Sequence, residues 1–491
     1  MAKSIQHFGE ISTGVFEKII DEFYRNPTDF ASFTQGITDE LHRIGRLMIR
    51  ETLEEMDRML RDSGKRKQDW VIEQHSAKQL VTILGTVEFH KTFFRNRNTG
   101  QTECLLDRIL GMDRHERIAE DAHARILEEA VQTSYRRGGE GSTLTEEQVS
   151  KQAVMNKVHA LRFPKGWEPP EEKKAVAYLY IEADEDHIAL QYRDKKGDLT
   201  RTGKGQKNNG AITKLVYVHE GIEPEGPKSV RHRLINPHYF SRTADGCSNA
   251  ELWEEVRRYI EENYDLTKVK KIYLNSDGGG WIKSGMKAVG GVVHVLDRFH
   301  LEEQLTKLTG HMKDSTQEAR EELYKAVCRG TKGDFQRITE RLEELLPEGM
   351  NHERFRESRD YILCNWTAAK LRLKKTEGKA GSSTEGHVSH VLSSRMSTQA
   401  LGWSRTGADK MAQLRGYYLN GGDMLSLVRY QKEELPKAAG CEEEIILSSR
   451  EVLMSERDRH KGIGKYVDAI SHTLSLNGKR QQYFRQLIWD M

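Results

Sequence analysis

Five short, strand-like apolar runs in the middle of the chain limit its possible folds more than any other feature. They cover residues 175–182, 187–192, 214–219, 271–276 and 292–296. A segment with helical character, residues 249–263, separates the third run from the fourth. Strands interrupted in this order by a helix predict a mixed α/β sheet.

Helical patterns flank this central region on both sides. From about residue 299 to residue 379 the pattern is helical throughout, and another helix is predicted to begin near Ser383. The first 75 residues or so also show helical spacing of apolar side chains. Residues 84–97 then favour a strand, followed by a turn at residues 98–100. We therefore expect a large helical block after the sheet and a helical N-terminal region before it.

A helix predicted at residues 117–137 is followed by a second predicted helix that could contact DNA. Thr145 and Gln148 have the spacing of a capping box, which places the start of the second helix there. Its apolar periodicity leaves four polar residues exposed: Lys151, Gln152, Asn156 and Lys157. Two interpretations stay open, a helix-turn-helix whose last helix enters a DNA major groove, or a plain helical hairpin.

Composition excludes several classes of protein. The chain has 491 residues, of which 36% are hydrophobic and 31% charged, and no apolar run reaches the ~18 residues of a membrane span. The start of the chain has no apolar segment of a secretory signal, and the five cysteines are scattered, so we expect a cytoplasmic protein. No phosphate-binding loop is present, which argues against a nucleotide cofactor. A net charge of +2 neither supports nor excludes nucleic-acid binding.

Three acidic residues occupy positions where chemistry is expected. Asp184 lies in a predicted turn, residues 183–186, at the end of the first strand, Asp277 follows a later strand, and Glu385 opens a helix. Carboxylates at the ends of adjacent strands can converge, and they would repel each other without cations. Mg²⁺, with Mn²⁺ as a substitute, suits such an oxygen-rich site.

Each of these acids also has a purely structural interpretation. Aspartate is common in turns, so Asp184 and Asp277 could be plain turn residues. Ser382 and Glu385 have the spacing of a capping box, so Glu385 could serve only to cap the start of a helix. Asp186 and Glu182 are rival carboxylates in the same turn. We expect Glu182 to lie on the opposite face of the strand from its neighbours.

Further residues are candidates for the surroundings of the site or for DNA contacts. Asp297, His300, His387, His390 and Arg395 are candidates for contacts to the metal ligands or to phosphate. The alternatives are a helix cap for Asp297 and a solvated helix face for His387, His390 and Arg395. The basic loop 193–214, which contains Lys204 and Lys207, and the basic run 370–379, which contains Lys374 and Lys375, are candidates for holding a DNA backbone. Both are equally compatible with simple solvated charge.

Several segments together resemble a known family. They are YLYIEADEDHIALQ, YLNSDGGGWI, HVLDRFHLEEQL and GSSTEGHVSHVLSSRMSTQALGWSRTGADKMAQLR. With GTVEFHKTFFRNRNTG and LTEEQVSKQAVMNKVHAL, they resemble the bacterial insertion-sequence transposases of the ISLre type, which are DDE transposases with Mutator-like relatives.

The resemblance implies a ribonuclease H-like catalytic core with a helical insertion before the last acidic residue, and an N-terminal region that binds the terminal inverted repeats. It assigns the DDE triad to Asp184, Asp277 and Glu385, with Asp186 as the alternative first ligand. The implied domains are an N-terminal helical region (1–80), a small β segment (81–116), a helix-turn-helix-like region (117–165), the first part of the core (172–298), the helical insertion (299–380), and the last part of the core with C-terminal helices (381–491).

The expected activity is Mg²⁺-dependent phosphoryl transfer on DNA. Water would cleave a phosphodiester at the element's end, and the freed 3′-hydroxyl would attack target DNA. We expect a homo-oligomer on DNA, with no membrane partner. Two rival functions are a nuclease of the same fold that never joins strands, and a non-enzymatic helical DNA-binding regulator whose acids are caps and turns.

Overall fold

The computed structural model describes residues 13–166, 169–192, 209–398 and 401–433, except the side chains of Lys65, Glu385 and Glu433. The chain divides into two compact units. One contains the residues up to Val154 together with those from Met424 onward, and the other is Met155–Asp423. No described helix combines the length and the apolar character needed to cross a bilayer.

The helices of the described residues are α1 (Thr13–Arg25), α2 (Phe30–Asp62), α3 (Gly64–Asp69), α4 (Leu105–Ile109), α5 (Glu120–Gln132), α6 (Tyr135–Glu140), α7 (Lys151–His159), α8 (Asn249–Asn263), α9 (Gly280–Val289), α10 (Arg298–Thr309), α11 (Thr316–Arg329), α12 (Lys332–Glu344), α13 (His352–Cys364), α14 (Trp366–Leu373), α15 (Thr384–Val388), α16 (Ser394–Met396), α17 (Arg405–Leu419) and α18 (Met424–Glu433). The strands are β1 (Trp70–Thr82), β2 (Gly85–Asn96), β3 (Thr102–Glu103), β4 (Tyr178–Ala189), β5 (Gly210–His219), β6 (Gly221–Pro224), β7 (His232–Ile235), β8 (His238–Thr243), β9 (Lys271–Ser276) and β10 (Val292–Leu296).

The first unit is built around a long antiparallel hairpin. Strand β1 pairs with β2 from Trp70↔Asn96 to Thr82↔Gly85, and the hairpin packs on α2 and α4. The predicted strand at 84–97 and the turn after it are confirmed. The prediction of helix up to about residue 75 is wrong for residues 70–75, because they pair with residues 92–96 of β2, an interaction that local sequence does not show.

The predicted helix beginning near Thr145 is also wrong in its start. Residues 141–150 form turns and irregular structure, and the Thr143 hydroxyl bonds to backbone within that loop. The helix begins at Lys151, where the Ser150 hydroxyl accepts from the Ala153 N–H. The local hydroxyl bonds compete with helix formation at Thr145.

The second unit contains a five-stranded mixed sheet, which confirms the predicted α/β class. Its strand order is β10-β9-β4-β5-β8. Strands β4, β9 and β10 are parallel, whereas β5 runs antiparallel to both β4 and β8. Helix α8 and strands β9 and β10 have the predicted bounds.

The predicted turn at residues 183–186 does not exist. The two apolar runs on either side of it belong to the single strand β4, which pairs with β5 from Tyr180↔His219 to Ala189↔Gly210. Strand β5 correspondingly starts at Gly210 rather than at Lys214, so Lys214 lies in a strand and not in the basic loop. Asp184 is therefore a strand residue.

The sheet carries helices on both faces. On one face Leu179, Ile181 and Ala183 pack against α8 and α9 in an apolar core. On the other face, Tyr180 and Glu182 contact the segment that connects α14 to α15. Helices α10–α14 form a block with a core of their own, which confirms the predicted helical region up to Leu373.

Candidate acidic site at the strand ends

Three aspartates lie at one level across the parallel strands of the second unit. Ala183 pairs with Ser276, so Asp184 and Asp277 each lie one residue beyond this pair on neighbouring strands. Leu296 also pairs with Ser276, and the following Asp297 donates its N–H to the Ser276 carbonyl at 2.8 Å. Neighbouring strands are about 4.8 Å apart. The sheet thus brings together acids that are far apart in sequence.

A tyrosine from the helical block, Tyr361, lies near these three acids. The Tyr361 hydroxyl donates a hydrogen bond to the main-chain oxygen of Asp277. Burial, followed by the negative charges of Asp277, Asp297 and Asp184, raises the pKa of Tyr361. Tyr361 therefore stays protonated as a donor near all three carboxylates. Sequence reasoning missed this residue, and no local pattern distinguishes it from other helical tyrosines.

Each aspartate accepts a local backbone hydrogen bond. Asp184 accepts from the Glu185 N–H at 2.8 Å, and Asp277 from the Gly279 N–H at 2.8 Å. Asp297 accepts from the Phe299 N–H at 2.9 Å, so it does cap α10. Among the side chains that the structure describes, which exclude Glu385, no three His, Cys, Asp or Glu residues are grouped to hold a metal. The side chains at this level of the sheet that could serve as metal ligands are carboxylates, and carboxylate oxygens fit a hard divalent cation.

The position of Asp186 makes it less suited than Asp184 to act with Asp277. Asp186 lies two residues further along β4, which corresponds to about 6.6 Å of strand. One of its carboxylate oxygens, Oδ2, is buried without a hydrogen-bond partner among the described residues.

The glycine after Asp277 is required for packing. Gly278 has φ +81°, and a Cβ there would lie 2.5 Å from the Asn365 side-chain oxygen. A larger residue would be both strained and in collision with the start of α14. The start of a neighbouring helix therefore approaches the backbone closely at this glycine.

Helix α15, which contains residue 385, is joined to β4 by hydrogen bonds at its start. Ser383 donates its backbone N–H to Glu182 Oε2 at 3.0 Å, and the Thr384 hydroxyl donates to the same oxygen at 2.7 Å. Helix α15 then starts at Thr384, so the backbone of residue 385 lies beside the strand that carries Asp184. The capping-box alternative for Glu385 depends on a side chain outside the described atoms.

Glu182 is the most deeply buried acid of the site, with 0% exposure. As expected, Glu182 lies on the opposite face of β4 from its neighbours Ile181 and Ala183. Because residues two apart in a strand share a face, it lies on the same face as Tyr180 and Asp184. Burial alone would raise the pKa of Glu182, but the His219 side chain and hydrogen bonds from Tyr217 and Thr384 outweigh burial and lower the pKa. Glu182 is thus ionised.

The other predicted neighbours of the site differ widely in their surroundings. His387 is half-buried and its Nδ1 lies 3.1 Å from the Tyr239 hydroxyl; burial lowers the pKa of His387. Arg395 is buried and stacks on Trp403, so it is not on a solvated face. His390 is exposed, and His300 has a buried Nε2 without a hydrogen-bond partner among the described residues.

The predicted DNA-binding residues are only partly described. Lys204 and Lys207 lie outside the described residues, whereas Lys374 and Lys375 are exposed. In helix α7, Lys151, Gln152 and Asn156 are exposed and Lys157 is half-buried.

Two cations of the basic run 370–379 are internal instead. Arg372 donates to the Leu296 carbonyl and to Asn275 Oδ1, each at 2.7 Å. Lys379 donates to the carbonyls of Leu371 and Arg372. These hydrogen bonds hold the segment that packs on this face of the sheet. The prediction that the whole run 370–379 contacts DNA or is solvated is therefore wrong for Arg372 and Lys379.

Together, these features define a mixed α/β protein with aspartates aligned at one level across its three parallel strands. The chain belongs to the UPF0236 family, described as an uncharacterised protein family, whose model matches residues 24–434.

Relatives of similar length occur in other bacteria. A UPF0236 protein of Caldanaerobacter subterraneus subsp. tengcongensis is 33% identical over 406 residues, which are 83% of this chain and 81% of the relative. Another from the same organism is 35% identical over 399 residues, 81% of this chain and 79% of the relative. A Streptococcus gallolyticus protein, named for the 3′ region of vanSb, is 27% identical over 389 residues, 76% of this chain and 79% of the relative. The first name joins eleven loci of one genome, a multiplicity that suggests association with a mobile element.

Proposed function

We propose that this protein is a DNA transposase that cleaves the ends of an insertion sequence and joins them to target DNA. One observation carries the proposal: Asp184 and Asp277 lie at the same level of neighbouring parallel strands, and the helix containing Glu385 is fixed to one of those strands. Two of the three dispersed acids are thereby neighbours in the sheet, and the backbone of residue 385 lies beside the strand that carries Asp184.

The sheet itself supports a ribonuclease H-like core. In chain order its five strands are β4, β5, β8, β9 and β10, arranged so that three antiparallel strands are extended by two parallel ones. This is the arrangement expected of a ribonuclease H-like fold. The helical block α10–α14 interrupts the chain between the last strand and the Glu385 helix, as the resemblance to DDE transposases implies.

The donor chemistry supports a site for Mg²⁺ or Mn²⁺ held by Asp184, Asp277 and Glu385. When bound, such ions activate an attacking oxygen and stabilise a leaving oxygen on phosphorus. The protein's own part is to hold the ligands in place: strand register sets Asp184 against Asp277, and Tyr361 binds the Asp277 backbone. Exposed cations, among them Lys374 and Lys375, would contact the DNA backbone.

The multiplicity of loci among the relatives is consistent with this proposal, because a mobile element multiplies in its host genome. A transposase must bring two element ends together, so we propose that at least two copies of the chain act on DNA in the cytoplasm, at the nucleoid. The helices around α7 are the proposed reader of the inverted repeats.

The replacement Asp277→Asn tests the proposal. It should lower Mg²⁺-dependent cleavage of element-end DNA by at least about 10³-fold, while DNA affinity changes little, because the side chain keeps its shape and loses its charge. The matched control is Asp314→Asn, which removes an exposed acid from the helical block and should retain full activity.

A strand-transfer assay with a pre-cleaved end separates the three candidate functions. Joining to target DNA supports the transposase, and cleavage without joining identifies a nuclease. Full cleavage by Asp277→Asn would refute the assigned site. Specific DNA binding with no metal-dependent activity would identify a non-enzymatic regulator.

A further inference from the structure

A buried carboxylate that the proposed chemistry does not use lies directly beside the acidic site. Glu182 Oε2 accepts hydrogen bonds from the Tyr217 hydroxyl at 2.6 Å, from the Thr384 hydroxyl at 2.7 Å and from the Ser383 N–H at 3.0 Å. Glu182 Oε1 accepts from Asn275 Nδ2 at 3.3 Å and lies 3.4 Å from His219 Nε2. The carboxylate is therefore surrounded by donors and is not open to another ligand.

A charged group in such a place is costly unless its partners repay the loss of water. The partners of Glu182 come from both neighbouring strands, through Tyr217 of β5 and Asn275 of β9, and from the start of α15. One side chain thus links the strand that carries Asp184 to the residues immediately before Glu385.

The helix that begins at Thr384 is held at its start by the hydrogen bonds to Glu182, whereas His387 near its end lies 3.1 Å from the Tyr239 hydroxyl. Helix α15 has five residues and passes into a π-helical segment, residues 389–393. The buried Arg415 donates to the carbonyls of His390 and Val391, which fixes that later segment. At the start of the helix, the corresponding hydrogen bonds are those to Glu182.

We propose that Glu182 is a positioning residue that sets the place of residue 385 relative to Asp184 through Ser383 and Thr384. This inference rests on the proposed function for its catalytic consequence, because residue 385 is one of the three proposed ligands. Glu182 itself does not bind the metal. A misplaced ligand costs activity steeply, since catalytic geometry tolerates displacements of well under 1 Å.

The pair Thr384→Val and Thr384→Ser isolates the link to the helix. Valine keeps the shape of threonine and removes the hydroxyl, and we expect about 10–100-fold slower cleavage with a raised Mg²⁺ concentration for half-maximal rate. Serine keeps the hydroxyl and should restore both values to within about 2-fold. Thr339→Val is the matched control: its buried hydroxyl donates to the Phe335 carbonyl within α12, and its loss should leave the metal dependence unchanged.

Hydrogen exchange supplies a measurement that needs no activity. In Thr384→Val and in Glu182→Gln, the amides of residues 383–388 should exchange at least about 10-fold faster than in the wild-type protein, while those of β9 remain protected. Unchanged exchange in both variants would overturn the inference, as would a Thr384→Val variant with wild-type metal dependence. If the wild-type protein proves inactive on DNA, the proposed function fails, and the exchange rates still decide whether Glu182 holds this helix.

Discussion

The two faces of the five-stranded sheet differ although alternate residues of the same strands build both. On one face, Leu179, Ile181 and Ala183 of β4 are fully buried against α8 and α9. On the other, the intervening Glu182 and Asp184 are buried among polar partners. An offset of one residue thus separates side chains that form an apolar core from carboxylates that accept hydrogen bonds.

The charged groups on the polar face are held by hydrogen bonds. Arg372 is buried there, and burial lowers its pKa, yet its guanidinium donates to a backbone carbonyl and to Asn275. Breaking one partner of such a network leaves a buried group unsatisfied. The apolar face has no such requirement, so its substitutions should change stability without changing chemistry.

The largest effect is expected from Ile181→Ala, which removes a fully buried side chain from the apolar face. The free energy of unfolding should fall by about 2–5 kcal/mol, because the removed atoms leave a cavity. Denaturant unfolding measures the loss. The folded fraction should keep the wild-type Mg²⁺ dependence of cleavage, and a changed metal dependence would show that the two faces are not separable.

A smaller effect is expected from pH, through a histidine on the apolar face. His238 stacks on Tyr259 with ring centroids 4.1 Å apart, and burial lowers the pKa of His238 to about 4. The unfolded chain takes up a proton near pH 6.5 and the folded protein does not, so this contribution is complete above pH 6.5 and declines as pH falls toward 4. The expected loss between pH 7 and pH 5 is about 2 kcal/mol.

The comparison variant for this test is His238→Phe, which keeps an aromatic ring and has no titrating group. Its unfolding free energy should lose about 2 kcal/mol less than that of the wild-type protein over the same pH interval. If the unfolding free energies of the two proteins depend on pH in the same way, the pH dependence does not arise from His238.

The smallest effect concerns Asp297, which combines a helix cap with a place among the aligned acids. Asp297→Asn keeps a capping oxygen and should leave stability within about 0.5 kcal/mol, whereas Asp297→Ala should cost about 1 kcal/mol. Both should slow cleavage about 10-fold if the negative charge supports the site. Full activity in Asp297→Asn would reduce Asp297 to a cap alone.

Local sequence was sufficient where an element is defined by its own residues. Helix α8 has its predicted bounds because Ser248 and Glu251 form a reciprocal cap and its apolar residues recur at helical spacing. Strand β1 and the middle of β4 were missed because polar residues there resemble helix or turn, and pairing with distant strands decides their conformation.

The candidate site likewise has one part that local sequence predicts and another that only tertiary contacts define. The sequence by itself determined which acids are available, a mixed α/β class, and a helical block between Asp277 and Glu385. Only the tertiary structure decided that Asp184 and Asp277 are level, that Tyr361 lies near them, and that Glu182 accepts hydrogen bonds from the start of helix α15. The physical reason is that strand register and side-chain contacts join residues about 90 to 200 positions apart, and no local pattern encodes such distances.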